Sequence, residues 1–149
     1  MELAFKPSEK AVYSTIPEDK TLKQDLITYL LTYGQLSTAY GSNSNSSTTL
    51  TTVPAGYYFY LTYYSLSYTD TGAAAGKIAS IKLDGGIINQ VYSCGAIVSP
   101  PVVSISPSVP LKINEGQVIA VSSNDDKLRG VATIGGYLIE IEKINLIFR

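Results

Sequence analysis

The run Tyr57–Tyr68, YYFYLTYYSLSY, limits the fold more than any other stretch of this chain. Six of its twelve residues are tyrosine, and it follows the turn-forming tetrapeptide Val53-Pro54-Ala55-Gly56. Successive side chains of a strand point to opposite faces. A strand carrying large rings on both faces has no side left for solvent alone, so each face needs a cover. By strict alternation Phe59 and Leu61 face a core into which Val53 leads, while Tyr58, Tyr60, Tyr64 and Tyr68 share the other face with Thr62 and Leu66. A β-bulge would exchange the two sets partway along. A ring with a polar tip suits a contact surface, so Tyr58, Tyr60, Tyr64 and Tyr68 are the candidates for an interface or a ligand contact. Three covers stay open: packing inside the domain, a second subunit, or a stacked glycan. Asp70 is the only charged residue between Ser37 and Gly76, which favours protein over sugar.

Beyond this run, strand signals recur between turn signals. Candidate strands are Thr48–Val53, Tyr57–Thr69, Lys77–Leu83, Ile87–Ser93, Val102–Ile105, Val109–Ile113, Gln117–Ser122, Gly130–Ile134, Tyr137–Ile141 and Ile144–Phe148. They are separated by Pro54-Ala55-Gly56, Asp84-Gly85-Gly86, Ser99-Pro100-Pro101, Asn114-Glu115-Gly116, Asn124-Asp125-Asp126 and Gly135-Gly136, all suited to turns. Eight to ten short strands in about 100 residues predict an all-β sandwich or barrel. Gly135-Gly136 fits either a bulge inside one strand or a two-residue hairpin. Four of the seven prolines, at 100, 101, 107 and 110, cannot donate to a sheet ladder, which assigns that stretch to an edge or a long crossover. The short apolar stretches Leu3-Ala4-Phe5 and Leu146-Ile147-Phe148 are expected to pair with each other.

The beginning of the chain differs. Nine of the 23 charged residues lie within the first 25 positions. Residues 17–33 predict a helix, with Pro17 in the first turn, Glu18 and Asp19 at its positive end, and Leu22, Leu26, Tyr29 and Tyr33 on one stripe that Leu30 and Leu31 widen. Gly34 stops it. Such a helix lies on its own domain or serves as an anchor. Residues 37–49, STAYGSNSNSSTT, have the composition of a linker or loop. The expected organisation is an arm and helix over 1–36, a linker over 37–49 and a β-sandwich over 50–149.

Little chemistry is available. There is no histidine and one cysteine, Cys94, so imidazole catalysis, histidine metal sites, thiolate zinc clusters and internal disulfides are excluded. Cys94, between Ser93 and Gly95, reads as an inert core or turn residue. A net charge of -1 and a pI near 5.3 give no basis for binding nucleic acid or an anionic membrane. The first residues lack a secretory leader, and no apolar run approaches a bilayer span of about 20 residues. The expectation is a soluble product made in a cytoplasm, without cofactor or metal. Asp70-Thr71-Gly72-Ala73 resembles the catalytic loop of aspartic proteases, which implies an alternative in which two copies pair their aspartates; Ile134-Gly135 would supply the apolar-Gly element behind the loop. Ser67-Tyr68-Thr69 stands where that family has aliphatic residues. Asn124-Asp125-Asp126 has calcium-type oxygen ligands but also makes an ordinary turn, and Asn45-Ser46-Ser47 matches the glycan-acceptor pattern.

The order Val53-Pro54-Ala55-Gly56, aromatic strand, Pro110–Val121 (PLKINEGQVIAV) and Ile134–Ile141 (IGGYLIEI) resembles small jelly-roll, TNF-like proteins of bacteriophage and other virus particles. The resemblance covers roughly residues 48–142. It implies a jelly-roll β-sandwich with a short N-terminal helix, and a non-enzymatic homotrimeric virion protein of the capsid-decoration or head-fibre type. It also implies assembly in the host cytoplasm, with the N-terminal arm on the major capsid protein or another virion protein. The alternative is a receptor-binding or glycan-binding module at a virion or fibre tip, with a host-surface glycan as partner.

Overall fold

The computed structural model describes residues 20–93 and 102–147. A helix, α1 (Lys20–Tyr33), leads into nine strands: β1 (Gln35–Ser44), β2 (Ser47–Thr52), β3 (Tyr57–Asp70), β4 (Ile78–Leu83), β5 (Gly86–Tyr92), β6 (Val103–Ile105), β7 (Leu111–Ile113), β8 (Val118–Ser123) and β9 (Leu128–Glu140). A short helix, α2 (Ile141–Ile147), follows.

The strands form two sheets, one ordered β1-β9-β3-β6 with β7 also on β3, the other ordered β2-β8-β4-β5. Every pairing is antiparallel. If β6 and β7 count as one interrupted strand, first pairs with last, second with next to last, and so on to the β4–β5 hairpin. This is a long hairpin folded across itself, the jelly roll. The hairpin tip, Asp84-Gly85, has φ values of 47° and 83°, as a two-residue primed turn requires. Asp84 fixes that tip to the next strand pair: its carboxylate accepts from the Val118 N–H and the Gln117 side-chain amide, both at 2.8 Å.

Between the sheets lie Phe59, Leu61, Tyr64, Leu66, Ile113, Leu128 and Ile134 from one side and Val53, Ala79, Ile81, Val91, Ile119 and Val121 from the other. Fully burying one such aliphatic or phenyl side chain is worth about 1.5–3 kcal/mol. A second, smaller cluster lies outside the first sheet, where Leu30 of α1 meets Tyr60, Ile139 and Ile144.

Several expectations change. Residues 37–49 are not a linker: most of them belong to β1 and β2, and β1 pairs with β9 over ten positions from Gln35↔Leu138 to Ser44↔Arg129. Backbone pairing overrides composition there. Gly130–Ile134 and Tyr137–Ile141 are one strand, with Gly135-Gly136 inside it. Ile144–Phe148, read as a strand, falls largely in α2. The Ile141 N–H bonds to the Gly56 carbonyl as the chain leaves the sheet. The helix stripe is centred on Leu30, which is buried, whereas Tyr33 is exposed. The helix start at 17–19, Cys94, Pro100-Pro101 and the Leu3-Ala4-Phe5 pairing lie outside the described residues.

Candidate assembly surface

The tyrosine strand is divided by a bulge. Leu61 lies opposite Gly136 and Tyr63 opposite Gly135, so Thr62 is the extra residue. Its hydroxyl donates to the Gly135 carbonyl at 3.3 Å. Before the bulge Phe59 and Leu61 point between the sheets; after it Tyr64, Leu66 and Tyr68 do. Tyr58 and Tyr60 therefore share the outer face with Tyr63, Ser65 and Ser67.

This corrects the alternation for two candidates. Tyr64 and Tyr68 are core residues, 7% and 3% exposed, and their rings are covered by the opposite sheet rather than presented to a partner. The Tyr64 hydroxyl accepts from the Asn89 side-chain amide at 3.4 Å, which gives its polar end a partner inside the sandwich. Tyr60 is outward but roofed by α1 and α2. Burial, with Tyr58 adding to it, raises its phenol above the ordinary range. Tyr58 meets Tyr60 edge-on at 6.5 Å, and the Lys112 ammonium stands 3.7 Å from its ring centre, a cation–π contact. Tyr58 is thus the one candidate of the four with a half-buried ring at the rim.

The exposed apolar residues on this face are ones the sequence reading did not select. Ile27, Leu31 and Tyr33 of α1 and Leu36 and Tyr40 of β1 are 40–68% exposed. Ile27 and Leu31 line a groove of about 240 Å³ with Thr62, Pro107, Pro110 and Tyr137, and Tyr137 lies opposite Leu36, whereas Tyr33 lies on the other flank of α1 with its ring 4.7 Å from Tyr29. Tyr40 lies further along β1 on the same face as Leu36. Tyr63 is also partly exposed, and a hydrogen bond with Ser104, with Ser65 helping, lowers its phenol from the usual value. β1 is an edge strand without proline, lysine or a bulge, the devices that commonly blunt such edges. The signal for Leu36 and Tyr40 was their alternation with Ala39, which packs on the core. The Ser/Asn content that follows concealed it.

The two polar motifs form turns, in the first of which Asp70 Oδ2 is buried without a hydrogen-bond partner among the described residues. Asp70 Oδ1 accepts from the N–H groups of Gly72 at 2.8 Å and Ala73 at 2.6 Å, and Thr71 bonds the Lys127 carbonyl through both its N–H and its hydroxyl. Asp70 pairs with Leu128, whereas Ile134 and Gly135 lie opposite Tyr64 and Tyr63, roughly 20 Å along the strand at its usual rise. The elements of a protease loop do not meet within one chain. In the 124–126 turn, Asn124 Oδ1 accepts from the Ile78 N–H and Asp125 Oδ1 from the Lys127 N–H. Asp125 Oδ2 lies 3.5 Å from the Lys77 ammonium. The Lys127 N–H first, and Lys77 after it, hold the Asp125 carboxyl below the usual carboxylate range.

Among the described residues no helix is long and apolar enough to cross a membrane. No family model matches the chain, and no curated protein matches it by sequence. Among solved structures it is similar to a capsid structure of Helicobacter pylori bacteriophage KHP30, with a TM-score of 0.43 and 13% identity over 73% of this chain and 93% of that one. It is similar to a chain of the cyanophage Pam1 capsid asymmetric unit, with a TM-score of 0.45 and 14% identity over 72% and 86%. It is also similar to a pentameric capsid protein from metagenomic phage sequences, with a TM-score of 0.33 and 24% identity over 70% and 60%.

Proposed function

We propose that the chain is a non-enzymatic structural protein of a virus particle that assembles with copies of itself through α1 and the outer face of β1. The observation that carries the reading is the apolar surface of Ile27, Leu31, Leu36 and Tyr40 along α1 and β1. With about 200 Å² on each large side chain, the exposed fractions amount to roughly 470 Å², more than half of the ~800 Å² that each partner gives to a standard interface. Between Ser37 and Gly76 the chain holds one charge, which suits a surface that is desolvated on assembly. The jelly-roll strand order and the sequence resemblance to virion proteins support the same role. That resemblance implies a homotrimer of the decoration or fibre type, with the N-terminal arm towards the particle.

Light scattering on the purified 16.0 kDa chain reads the assembly directly, and the expected mass is a small whole multiple. Leu36→Asp with Tyr40→Asp is expected to weaken association at least about thirtyfold, as removal of central interface residues does, with the circular dichroism spectrum retained. A wild type that stays monomeric at about 100 μM, a hundredfold above a micromolar dissociation constant, refutes the interface. Mass spectrometry of density-banded virus particles from the source culture tests the role, and absence of the chain from them refutes it.

A further inference from the structure

A hollow in the outer face of the second sheet takes no part in that assembly. Ala79, Ile81, Ile119 and Val121 point into the core, so Ser80, Lys82, Ala120 and Ser122 point outward. Ser47, Ser122, Ser80 and Gln90 are neighbours across β2, β8, β4 and β5. Although outward, Ser80 and Ser122 are only 4% and 6% exposed, because Ile78, Lys82, Ile87 and Asn124 stand around them. Small residues ringed by longer ones make a concavity of about 380 Å³, and its lining includes no carboxylate.

Ser46 and Ser123 in its lining spend their hydroxyl hydrogens on Asn43 Oδ1 and on the Asp125 and Leu128 carbonyls, but other polar groups there keep spare donors. The Ser80 and Ser122 hydroxyl oxygens are 2.9 Å apart. Two hydroxyls bring two hydrogens and their mutual bond uses one, so a side chain more than nine-tenths buried retains a hydrogen for an acceptor in the hollow. Asn124 Oδ1 is engaged by the Ile78 N–H at 2.8 Å, which leaves its Nδ2 hydrogens. Lys82 has no ion-pair partner among the described residues. Ile87, 57% exposed, adds an apolar wall beside these donors.

We propose that this hollow binds an acidic sugar. The ligand carboxylate pairs with Lys82, its neighbouring hydroxyl oxygens accept from the serine pair and Asn124, and the C–H face of its ring lies on Ile87. A bare inorganic anion would use the donors and leave the isoleucine wall empty; a neutral sugar would leave Lys82 unpaired. Both are therefore weaker ligands than a molecule carrying ring and carboxylate together.

The test is titration by nuclear magnetic resonance at fixed ionic strength with three probes, sodium glucuronate, glucose and sodium acetate. Glucuronate is expected to saturate with a Kd of about 1 mM, and glucose and acetate to bind at least about tenfold more weakly. Lys82→Gln, at a half-buried outward position, is expected to weaken glucuronate about fivefold with an unchanged melting temperature. Lys112→Gln, on the other sheet, leaves binding as it is. Absence of saturation by glucuronate, acetate binding as tightly as glucuronate, or a Lys82→Gln protein that binds like wild type would each overturn the proposal, whatever the outcome for assembly.

Discussion

Alanine at Gly136 should damage this fold severely, while alanine one residue earlier should not. A Cβ on Gly136 would lie 2.1 Å from the Tyr60 carbonyl oxygen and 2.9 Å from the Tyr60 carbonyl carbon and the Phe59 ring. Ordinary contact begins near 3.4 Å, so β3 and β9 would have to part by about 1 Å beside the fully buried Leu61, where backbone rather than a movable side chain resists. Overpacking costs about 1–3 kcal/mol, and the rigid obstacle puts this substitution at the upper end, about 3 kcal/mol. A Cβ on Gly135 would meet Thr38 Cγ2 at 3.7 Å and Tyr63 Cδ1 at 3.9 Å, both comfortable, and its φ is not positive. Gly135→Ala should therefore be neutral or up to about 1 kcal/mol stabilising, because alanine restricts the unfolded chain. At this chain length 1 kcal/mol corresponds to about 2–4 °C. Gly136→Ala should then melt roughly 6–12 °C below wild type and Gly135→Ala within about 4 °C of it. Circular dichroism melts at equal protein concentration, which removes mass-action effects of self-association, check both. If Gly136→Ala stays within about 0.5 kcal/mol of wild type, the usual range of neutral surface changes, or if the two alanines cost the same, the close-approach account of this pair fails.

Two further outcomes are expected. Burial raises the Tyr60 phenol above its ordinary 10.0, so below pH 10 both folded and unfolded states keep the proton and the group contributes no pH dependence. Above it the unfolded state ionises first and stability falls until the folded value is passed. Tyr60→Phe should flatten this alkaline decline in urea midpoints measured from neutral pH upward; an unchanged slope contradicts it. Asp84→Ala loses two hydrogen bonds to a carboxylate and places alanine at a φ of 47°. It should lower stability by about 2–3 kcal/mol, whereas Asp84→Asn, which tolerates that φ, should lose less. Equal urea midpoints for the two variants would show that the side chain does not hold the hairpin tip.

Where local chemistry and tertiary context agreed, the elements were legible in the chain. Lys77–Leu83 and Ile87–Ser93 were found because they alternate around Asp84-Gly85, a dipeptide with few other uses than a tight turn. β1 was missed because Ser, Gly and Asn contribute little intrinsic strand preference, and its ten ladder positions exist only because β9 lies beside it. The stretch Ile144–Phe148 reads as a strand because Ile144, Leu146 and Phe148 alternate with Asn145, while Ile147 fits a helical period as well. Its helix allows Ile144 to reach Leu30 and Tyr60. The candidate contact residues divided in the same way: Tyr58 and Tyr60 lie on the outer face as the alternation required, but the bulge turned Tyr64 and Tyr68 inward.

The aromatic strand and the recurring strand and turn signals around it determined an all-β sandwich whose central strand needs a cover on both sides. These are local properties, written in residue type and spacing, and they hold whatever the strand pairs with. What covers each face was decided only by the tertiary structure. The opposite sheet covers one side, two helices roof the first half of the other, and serines take over beyond Thr62. A single extra residue opposite Gly135-Gly136 makes that division. Its position depends on how closely two backbones, some 70 residues apart in sequence, can approach.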